Sequence, residues 1–341
     1  MTILNRQWIL AGRPVGTAIK AAMQLVQTEL PRPAEGDVLV RNAYLSLDAG
    51  TRLWMTDRTD SYNPPIPLGA PVRGLVLGHV VESRDPDFAA GDWVRAFGSW
   101  SDHSVLRADR DILSRVSRRV KDPRQYLGYL GMSGWTAYYG IVDCGAARAG
   151  ETVVISAAAG AAGSLAGQVA KAQGCRVVGI VGSEKKCEWI VEALGFDAAV
   201  NYRSGDVEQA LKAACPNGIN LYFDNIGGPL TDAVLPNMAM QGRIAICGLI
   251  AHYDAPERLP GPYRYDQILV KRLHVFGFMV PDVFYRGPEF EMRLRDLEAR
   301  GKLTLPLDVT EGLENTPDAY AGLYLGRNLG KALVKVSDLP G

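Results

Sequence analysis

The sequence predicts an α/β protein of two domains, a doubly wound parallel sheet and a mostly antiparallel β domain. Three observations lead there. At 341 residues the chain has room for two domains of about 150 residues each. Up to about residue 125, short apolar runs alternate with Gly, Pro and Asp turn signals and helix signals are sparse. From about residue 128, short β runs alternate with helix-length stretches, the pattern of βαβ units on a parallel sheet.

In the first part, Gln7 to Ala11, Asp37 to Leu45, Gly74 to Glu82, Asp92 to Phe97 and His103 to Leu106 read as strands. Pro31, Pro33, Pro64, Pro65, Pro67 and Pro71 punctuate them, and Gly36-Asp37 and Gly91-Asp92 read as turns entering strands. In the second part the strands are Thr152 to Ser156, Arg176 to Val181, Ala198 to Tyr202, Asn220 to Asp224, Arg243 to Cys247 and His274 to Val280. Helices Ser164 to Gln173 and Glu184 to Leu194 separate the first of these, with Gly174 and Gly195 at C′ positions. A helix at Glu289 to Arg300 is followed by strands Leu303 to Val309 and Ala332 to Val336, with a short helix at Thr316 to Leu325 between them. The parallel fold is complete before these last strands, so they are expected to return to the first domain. The expected division is therefore 1–127 with 301–341, and 128–300, as two walls of one cleft.

Composition excludes several classes of function. Lys and Arg number 37 against 37 Asp and Glu, which disfavours a chain that tracks nucleic acid or an anionic membrane. The N-terminal stretch with Arg6 and Arg13 lacks the charged, apolar and cleavage regions of a signal peptide, which points to the cytoplasm. Val153 to Ala170 carries no charge, but it is mostly Ala and Gly and reads as a buried strand, turn and helix rather than a span. Cys144, Cys175, Cys187, Cys215 and Cys247 form no Cys-x-x-Cys pair, and neither they nor His79, His103, His252 and His274 have metal-ligand spacing. Buried reduced thiols and no metal are expected.

The chemistry-bearing motif follows the strand at Val153 to Ile155. Ser156-Ala157-Ala158-Ala159-Gly160-Ala161-Ala162-Gly163-Ser164-Leu165-Ala166-Gly167 runs into a helix ending near Gln173. A glycine triplet alone is weak evidence, since an Ala/Gly-rich packing element explains it equally. With a strand before it and a helix after it, it marks a dinucleotide site. Gly160 and Gly163 would let the backbone approach a pyrophosphate at the helix N-terminus, and Gly167 would let helix and sheet approach.

An NAD-preferring protein places Asp or Glu at the end of the second strand, about 20 residues on. Here Gly182-Ser183 stands there, followed by Lys185 and Lys186, with Tyr202 and Arg203 closing the third strand. These donors and cations suit a 2′-phosphate and so NADPH, although Glu184 is close enough to serve as the absent carboxylate. Asn225, in Asp224-Asn225-Ile226-Gly227-Gly228, ends the fourth strand where ligands bind in such sheets, and Cys247-Gly248-Leu249-Ile250 ends the fifth.

With these residues the chain resembles the medium-chain dehydrogenase/reductases without zinc, in the branch of prostaglandin reductases, leukotriene hydroxydehydrogenases, alkenal double-bond reductases and curcumin reductase. The resemblance rests on Tyr44-Leu45-Ser46 with Asp48 and Arg52, Gly131-Met132 with Thr136-Ala137-Tyr138, and Ala157 through Gly167. It continues with Gly182-Ser183 and Lys186, Asn201-Tyr202, Asn225 with Gly227-Gly228, Cys247-Gly248 with Tyr253, Gly277-Phe278, and Asn328 with Gly330-Lys331. It implies a GroES-like first domain, a Rossmann second domain, a homodimer, and NADPH-dependent reduction of the carbon-carbon double bond of α,β-unsaturated ketones or aldehydes. It further implies that Lys186 and Tyr202 hold the 2′-phosphate. Asn225, the segment Cys247 to Tyr253, Phe278, Met279, Val280 and Asn328 would line the adenosine and nicotinamide sites. Gly160, Ala161, Ala162, Gly163 and Ser183 complete the cofactor set, and Arg52, Trp54, Met132 and Trp135 the substrate pocket. Tyr253 is the candidate catalytic donor, because a phenol can stabilise an enolate and pass on a proton.

One departure stands out: Asp48-Ala49-Gly50-Thr51-Arg52 lies where the family has Asp-Pro, an aromatic and Met before the arginine. A pocket wall is lost, and Trp135 and Trp54 are the residues expected to refill it. Three rival readings remain. A zinc-free quinone oxidoreductase shares the cofactor site, a non-catalytic NADPH-binding sensor or structural protein keeps the site without turnover, and a zinc alcohol dehydrogenase lacks its ligands here.

Overall fold

The computed structural model describes residues 3–253, 255 and 259–340. It divides into two compact units, Met1–Leu127 with Leu307–Gly341, and Gly128–Pro306.

The first unit opens with strands β1 (Ile3–Leu10) and β2 (Met23–Leu30), an antiparallel pair in which Ile3 faces Leu30 and Leu10 faces Met23. β2 was absent from the sequence expectation: its polar residues alternate with Leu25 and Val26 without a Gly or Asn turn to announce it. The main sheet is built from β3 (Val38–Ser46), β4 (Arg73–Ser83), β5 (Trp93–Ser99), β6 (His103–Leu106) and β7 (Ser114–Arg115). All of these pair antiparallel. Trp8, Leu10, Trp54, Trp100, Tyr320 and Val334 share its core.

The second unit carries β8 (Thr152–Ser156), β9 (Arg176–Val181), β10 (Ala198–Asn201), β11 (Ile219–Asp224), β12 (Met238–Ile246) and β13 (His274–Gly277). They form a six-stranded sheet in the order β10-β9-β8-β11-β12-β13, parallel throughout. Every residue of β8 is buried, as a parallel strand covered on both faces requires. The chain leaves β8 toward β9 on one side and returns as β11 on the other, so the ends of β8 and β11 form the switch point at which such sheets bind ligands. The helix between β8 and β9 is Ala161–Ala172, and the next is Glu184–Glu192. Gly174 and Gly195 take left-handed backbone at φ +84° and +70°, the conformation a C′ residue needs.

β10 ends one residue earlier and β11 begins one residue earlier than expected, and two further strands differ by more. β12 begins at Met238 rather than Arg243, carried through an irregularity in which Gln241 adopts φ +59°. β13 ends at Gly277 rather than Val280, because Pro281 removes a donor and a 3₁₀ segment starts at Val280. The uncharged stretch Val153 to Ala170 is β8, a turn and most of one helix. Among the described residues no helix is long and apolar enough to cross a membrane.

Residues from Leu307 onward belong to the first unit. β14 (Leu307–Glu311) starts four residues later than Leu303 and lies parallel to β15 (Lys331–Lys335), which pairs antiparallel with β3. The helix between them is Thr316–Tyr324.

Candidate active site

The glycine motif occupies the switch point. Ala157 turns the chain out of β8 at φ +49°, and Gly160 is the N-cap of Ala161–Ala172 with extended backbone and no side-chain cap. The first-turn amides of this helix therefore lack an internal acceptor, and no acidic residue stands among them. Such an end attracts a phosphate. The glycines have packing reasons as well. A Cβ at Gly163 would lie 2.3 Å from the Ala157 carbonyl oxygen, and one at Gly167 would lie 1.9 Å from the Phe196 ring. Gly163 thus closes the turn, and Gly167 admits a ring rather than the sheet backbone. Ala161 and Ala162, small residues, form the rim of the helix end.

At the end of β9, Ser183 caps Glu184–Glu192 by accepting from the Lys186 backbone N–H at 3.3 Å. Tyr202 follows β10 with its ring against Gly182, and the Arg203 guanidinium lies 5.4 Å from that ring's centre. Glu184, the possible ribose-binding carboxylate, accepts from Asn201 Nδ2 at 2.6 Å. Its oxygen is thereby tied to the third strand, leaving a serine, a lysine, a tyrosine and an arginine around the turn. This donor set fits a 2′-phosphate better than a bare ribose hydroxyl pair.

The turn after β11 is organised by a residue that the sequence reading noticed only as a strand end. Asp224 is 1% exposed. Its Oδ1 accepts from Tyr222 Oη and from the Ile226 and Gly227 N–H groups, each at 2.9 Å, and from Ser156 Oγ at 3.3 Å. Its Oδ2 accepts from Thr231 Oγ1 at 2.6 Å. Asn225 donates through Nδ2 to the Ser156 carbonyl at 2.6 Å and through its backbone to Ser156 Oγ at 2.8 Å, strapping the ends of β8 and β11 together. One of the two amide protons of Asn225 is thus spent on the fold.

The backbone carbonyls of this turn carry the segment Cys247 to Tyr253. Asp224 O accepts from the Cys247 and Gly248 N–H groups, Asn225 O from Ile250, and Ile226 O from Ala251, at 2.8 to 3.1 Å. Within the segment the Leu249 N–H donates to Tyr253 Oη at 3.0 Å. That bond uses a lone pair of the phenol and leaves its O–H to donate elsewhere. Burial, with smaller contributions from the nearby Cys247 and Asp224, raises the Tyr253 phenol above its ordinary value, opposed by the Leu249 N–H. Burial, reinforced by the Asp224 charge, pushes the Cys247 thiol up to about 12.

Phe278 lies beside Phe223 and Tyr139, with ring centres 6.0 and 5.7 Å away, followed by Met279 and the buried Val280. Met132 opens the helix Met132–Tyr138, in which Trp135 is buried against Phe284, Phe290 and Gly287.

Within the first unit, Arg52 and Trp54 lie on the one-turn helix Thr51–Trp54 and are 3% and 8% exposed. Arg52 Nη2 donates to Pro14 O, while Nε and Nη1 have no partner among the described residues. Trp54 meets Tyr62 and Phe97 edge-on at 5.7 and 5.5 Å. Gly50 faces Tyr62, whose hydroxyl lies 2.8 Å from where a Cβ would stand. The aromatic next to the shortened position is therefore Tyr62, with Trp54 behind it. Ala49 O accepts from Tyr320 and Tyr324, and Asn328 donates to Gly330 O at 3.1 Å. Among the described residues no group of three His, Cys, Asp or Glu is placed to hold a metal ion.

Comparison with known proteins agrees with this architecture. Residues 6–113 match the family described as N-terminal domain of oxidoreductase, and residues 161–295 that described as zinc-binding dehydrogenase. The chain is 39% identical over 338 residues to NADPH-dependent curcumin reductase of Escherichia coli, covering 98% of this chain and 97% of that one. It is 38% identical over 341 residues to the NADP-dependent 2-alkenal reductase of Nicotiana tabacum, with 98% of both chains covered. The crystal structure of CurA in complex with NADPH from Vibrio vulnificus superposes with a TM-score of 0.92 at 38% identity, over 98% of this chain and 99% of that one. Likeness of this extent, along both units, identifies the chain as a member of the medium-chain dehydrogenase/reductase family, in the branch that holds curcumin reductase and 2-alkenal reductase.

Proposed function

We propose that the protein is an NADPH-dependent reductase of the carbon-carbon double bond of α,β-unsaturated ketones and aldehydes. The observation that carries this reading is the Tyr253 phenol, half-buried at the switch point, accepting from Leu249 N–H and keeping its own proton to donate. Relatives named for curcumin and alkenal reduction support it.

NADPH, when bound, supplies the hydride that reaches the β-carbon. The residues suited to hold it are the first-turn amides of Ala161, Ala162 and Gly163 beyond the N-cap Gly160, whose own N–H donates to Ala157 O, with Ser183, Lys186 and Tyr202 at the 2′-phosphate. Asn225, the segment Cys247 to Tyr253, Phe278, Met279 and Val280 line the remainder within the second unit; Asn328 of the first unit is assigned to the cofactor by the family resemblance alone. Tyr253 donates to the substrate carbonyl oxygen, where negative charge develops as the enolate forms, and its proton-bearing hydroxyl stabilises that charge. The α-carbon then takes a proton from solvent, which converts the enolate to the saturated ketone or aldehyde. Arg52 and Trp54 in the first unit, and Met132 and Trp135 in the second, are the residues that the family resemblance assigns to substrate.

The second copy of a homodimer has a natural seat on β13, which among the described residues pairs with β12 alone and where Val275 is 41% exposed; Leu269 and Val270, a few residues earlier in the chain, are exposed too. An unpaired, apolar edge is a template for strand pairing. A cytoplasmic enzyme fits the five free thiols.

The test is NADPH oxidation followed by absorbance with methyl vinyl ketone, an alkenal and a quinone, with product analysis. A saturated product from the enone, and a slower Tyr253→Phe variant, are expected. Turnover of the quinone alone would overturn the reading in favour of quinone reduction, and NADPH binding without turnover would reassign the chain as a sensor. Light scattering on wild type and Val275→Lys checks the dimer: the variant is expected as a monomer.

A further inference from the structure

We propose that Asp224 is a positioning residue for the reduction, setting the place of the Tyr253 hydroxyl through the turn its buried carboxylate holds. This inference rests on the donor role of Tyr253 proposed above.

A carboxylate taken from water is costly unless its oxygens are satisfied. Among the described residues no basic side chain pairs with Asp224, yet both oxygens are used: Tyr222, Ser156, Ile226 and Gly227 donate to Oδ1, and Thr231 to Oδ2. Every one of these donors is neutral, and burial together with the Asp224 charge holds the Tyr222 phenol well above its ordinary value, so it remains a donor. The carboxylate thus sits inside a shell of hydroxyl and amide donors. Hydrogen bonds to an ionised acceptor are roughly twice as strong as neutral ones, which stiffens whatever they hold.

What they hold is the turn whose successive carbonyls, Asp224, Asn225 and Ile226, accept from Cys247 and Gly248, Ile250 and Ala251. The helical turn Ile250–Tyr253 therefore hangs from β11, and Leu249, between two of these anchored residues, fixes the Tyr253 oxygen. The bonds to Ile226 and Gly227 reach only Oδ1 and cap the turn. The additional hydroxyl donors Tyr222 and Thr231, placed on either side in sequence, lock its orientation. Displacing a donor by a fraction of an ångström is enough to weaken stabilisation of developing charge.

The experiment compares Asp224→Asn, Thr231→Val and Thr231→Ser in the wild-type and Tyr253→Phe backgrounds. Two readouts are taken: steady-state kinetics with NADPH and methyl vinyl ketone, and amide hydrogen exchange of the peptide spanning 247–253. Thr231→Val, which removes one charge-assisted bond, is expected to lower kcat about tenfold while KM for NADPH changes less than about twofold. Thr231→Ser, which keeps the hydroxyl, is expected to restore the rate. In the Tyr253→Phe background the Thr231→Val effect should fall below about twofold, the non-additivity of residues acting as one unit. Exchange in 247–253 is expected to quicken in Thr231→Val and in Asp224→Asn. Equal loss in both backgrounds, a rise in KM for NADPH with kcat unchanged, or unaltered exchange would overturn the proposal. If wild-type protein oxidises no NADPH with any enone, the reading of the reaction fails separately, and the exchange comparison alone decides whether Asp224 holds the Tyr253 segment.

Discussion

Lys331 and Asp48, 283 positions apart in sequence, form an ion pair in the first unit. Lys331 is 2% exposed and donates also to the Leu47 carbonyl, whereas the Asp48 side chain is 41% exposed and accepts from Ser46 Oγ. The pair is asymmetric, since the lysine depends on it and the aspartate can fall back on water. Removing the partner of a buried charge costs about 3–5 kcal/mol, less when the partner is half in solvent. Asp48→Ala is expected to cost about 3 kcal/mol in urea unfolding and Lys331→Met no more than about 1 kcal/mol. Equal costs would mean that Lys331 finds another acceptor.

A helical Gly→Ala change ordinarily stabilises by about 1 kcal/mol, but at Gly163 the added methyl would strike the Ala157 carbonyl. Gly163→Ala is expected to destabilise by about 1–3 kcal/mol and to weaken NADPH binding measured by fluorescence. Ala157→Gly should act in the opposite sense on stability, because φ +49° strains a residue with a Cβ by about 1 kcal/mol. Thermal unfolding of both variants checks the pair.

Cys247 is pushed up to about 12 and Cys215 to about 11, in each case chiefly by burial. A thiol raised in the folded state is ionised first in the unfolded chain, so folding is favoured fully below the ordinary thiol range. That advantage is lost as pH rises from about 8.5 toward the folded value, by up to about 1.4 kcal/mol per pH unit for each thiol. Urea midpoints measured from pH 8 upward are expected to fall, and Cys215→Ala should flatten the slope. Iodoacetamide should leave both thiols unmodified at pH 8 while the protein is folded.

If Tyr253 donates a proton-bearing hydroxyl, activity survives wherever the phenol is neutral. Its raised value keeps it neutral through the range in which an ordinary tyrosine, near about 10, begins to ionise. Initial kcat values, taken in short assays, are expected to stay level through the range in which an ordinary tyrosine ionises and to fall only above it. Tyr253→Phe should lower kcat and abolish that alkaline limb.

The parts of the fold legible in sequence were those written in local pattern. β8 and β9 are short runs rich in Val and Ile bounded by turn residues, and the structure sets both, and β6, at the residues expected. β2 escaped because its alternation is diluted by Gln and Glu, and β13 was overrun because Phe278 and Met279 look like strand residues until Pro281 intervenes. At the site, Asn225 was legible as a residue type at a strand end, and Tyr253 through the family resemblance, in the loop after one. What held them was not, since Ser156 and Asn225 lie 69 positions apart and only folding brings them into contact. Asp48 and Lys331 were each visible as marks of the family, but no spacing rule links residues at such separation. Tyr62 beside Gly50 was missed because it comes from a polar loop with no periodicity.

The pairing of β15 with β3 has a consequence for how the protein is made. The parallel sheet is complete once residue 277 has been synthesised, so it can fold while later residues are still within the ribosome. The antiparallel sheet cannot close until residues 331–335 arrive to pair with 44–46. Its first five strands must wait with an edge of β3 uncovered, an aggregation-exposed interval that domain-by-domain folding otherwise avoids. Chaperone dependence in the cell would thus reside in the half of the enzyme that is translated first and finished last.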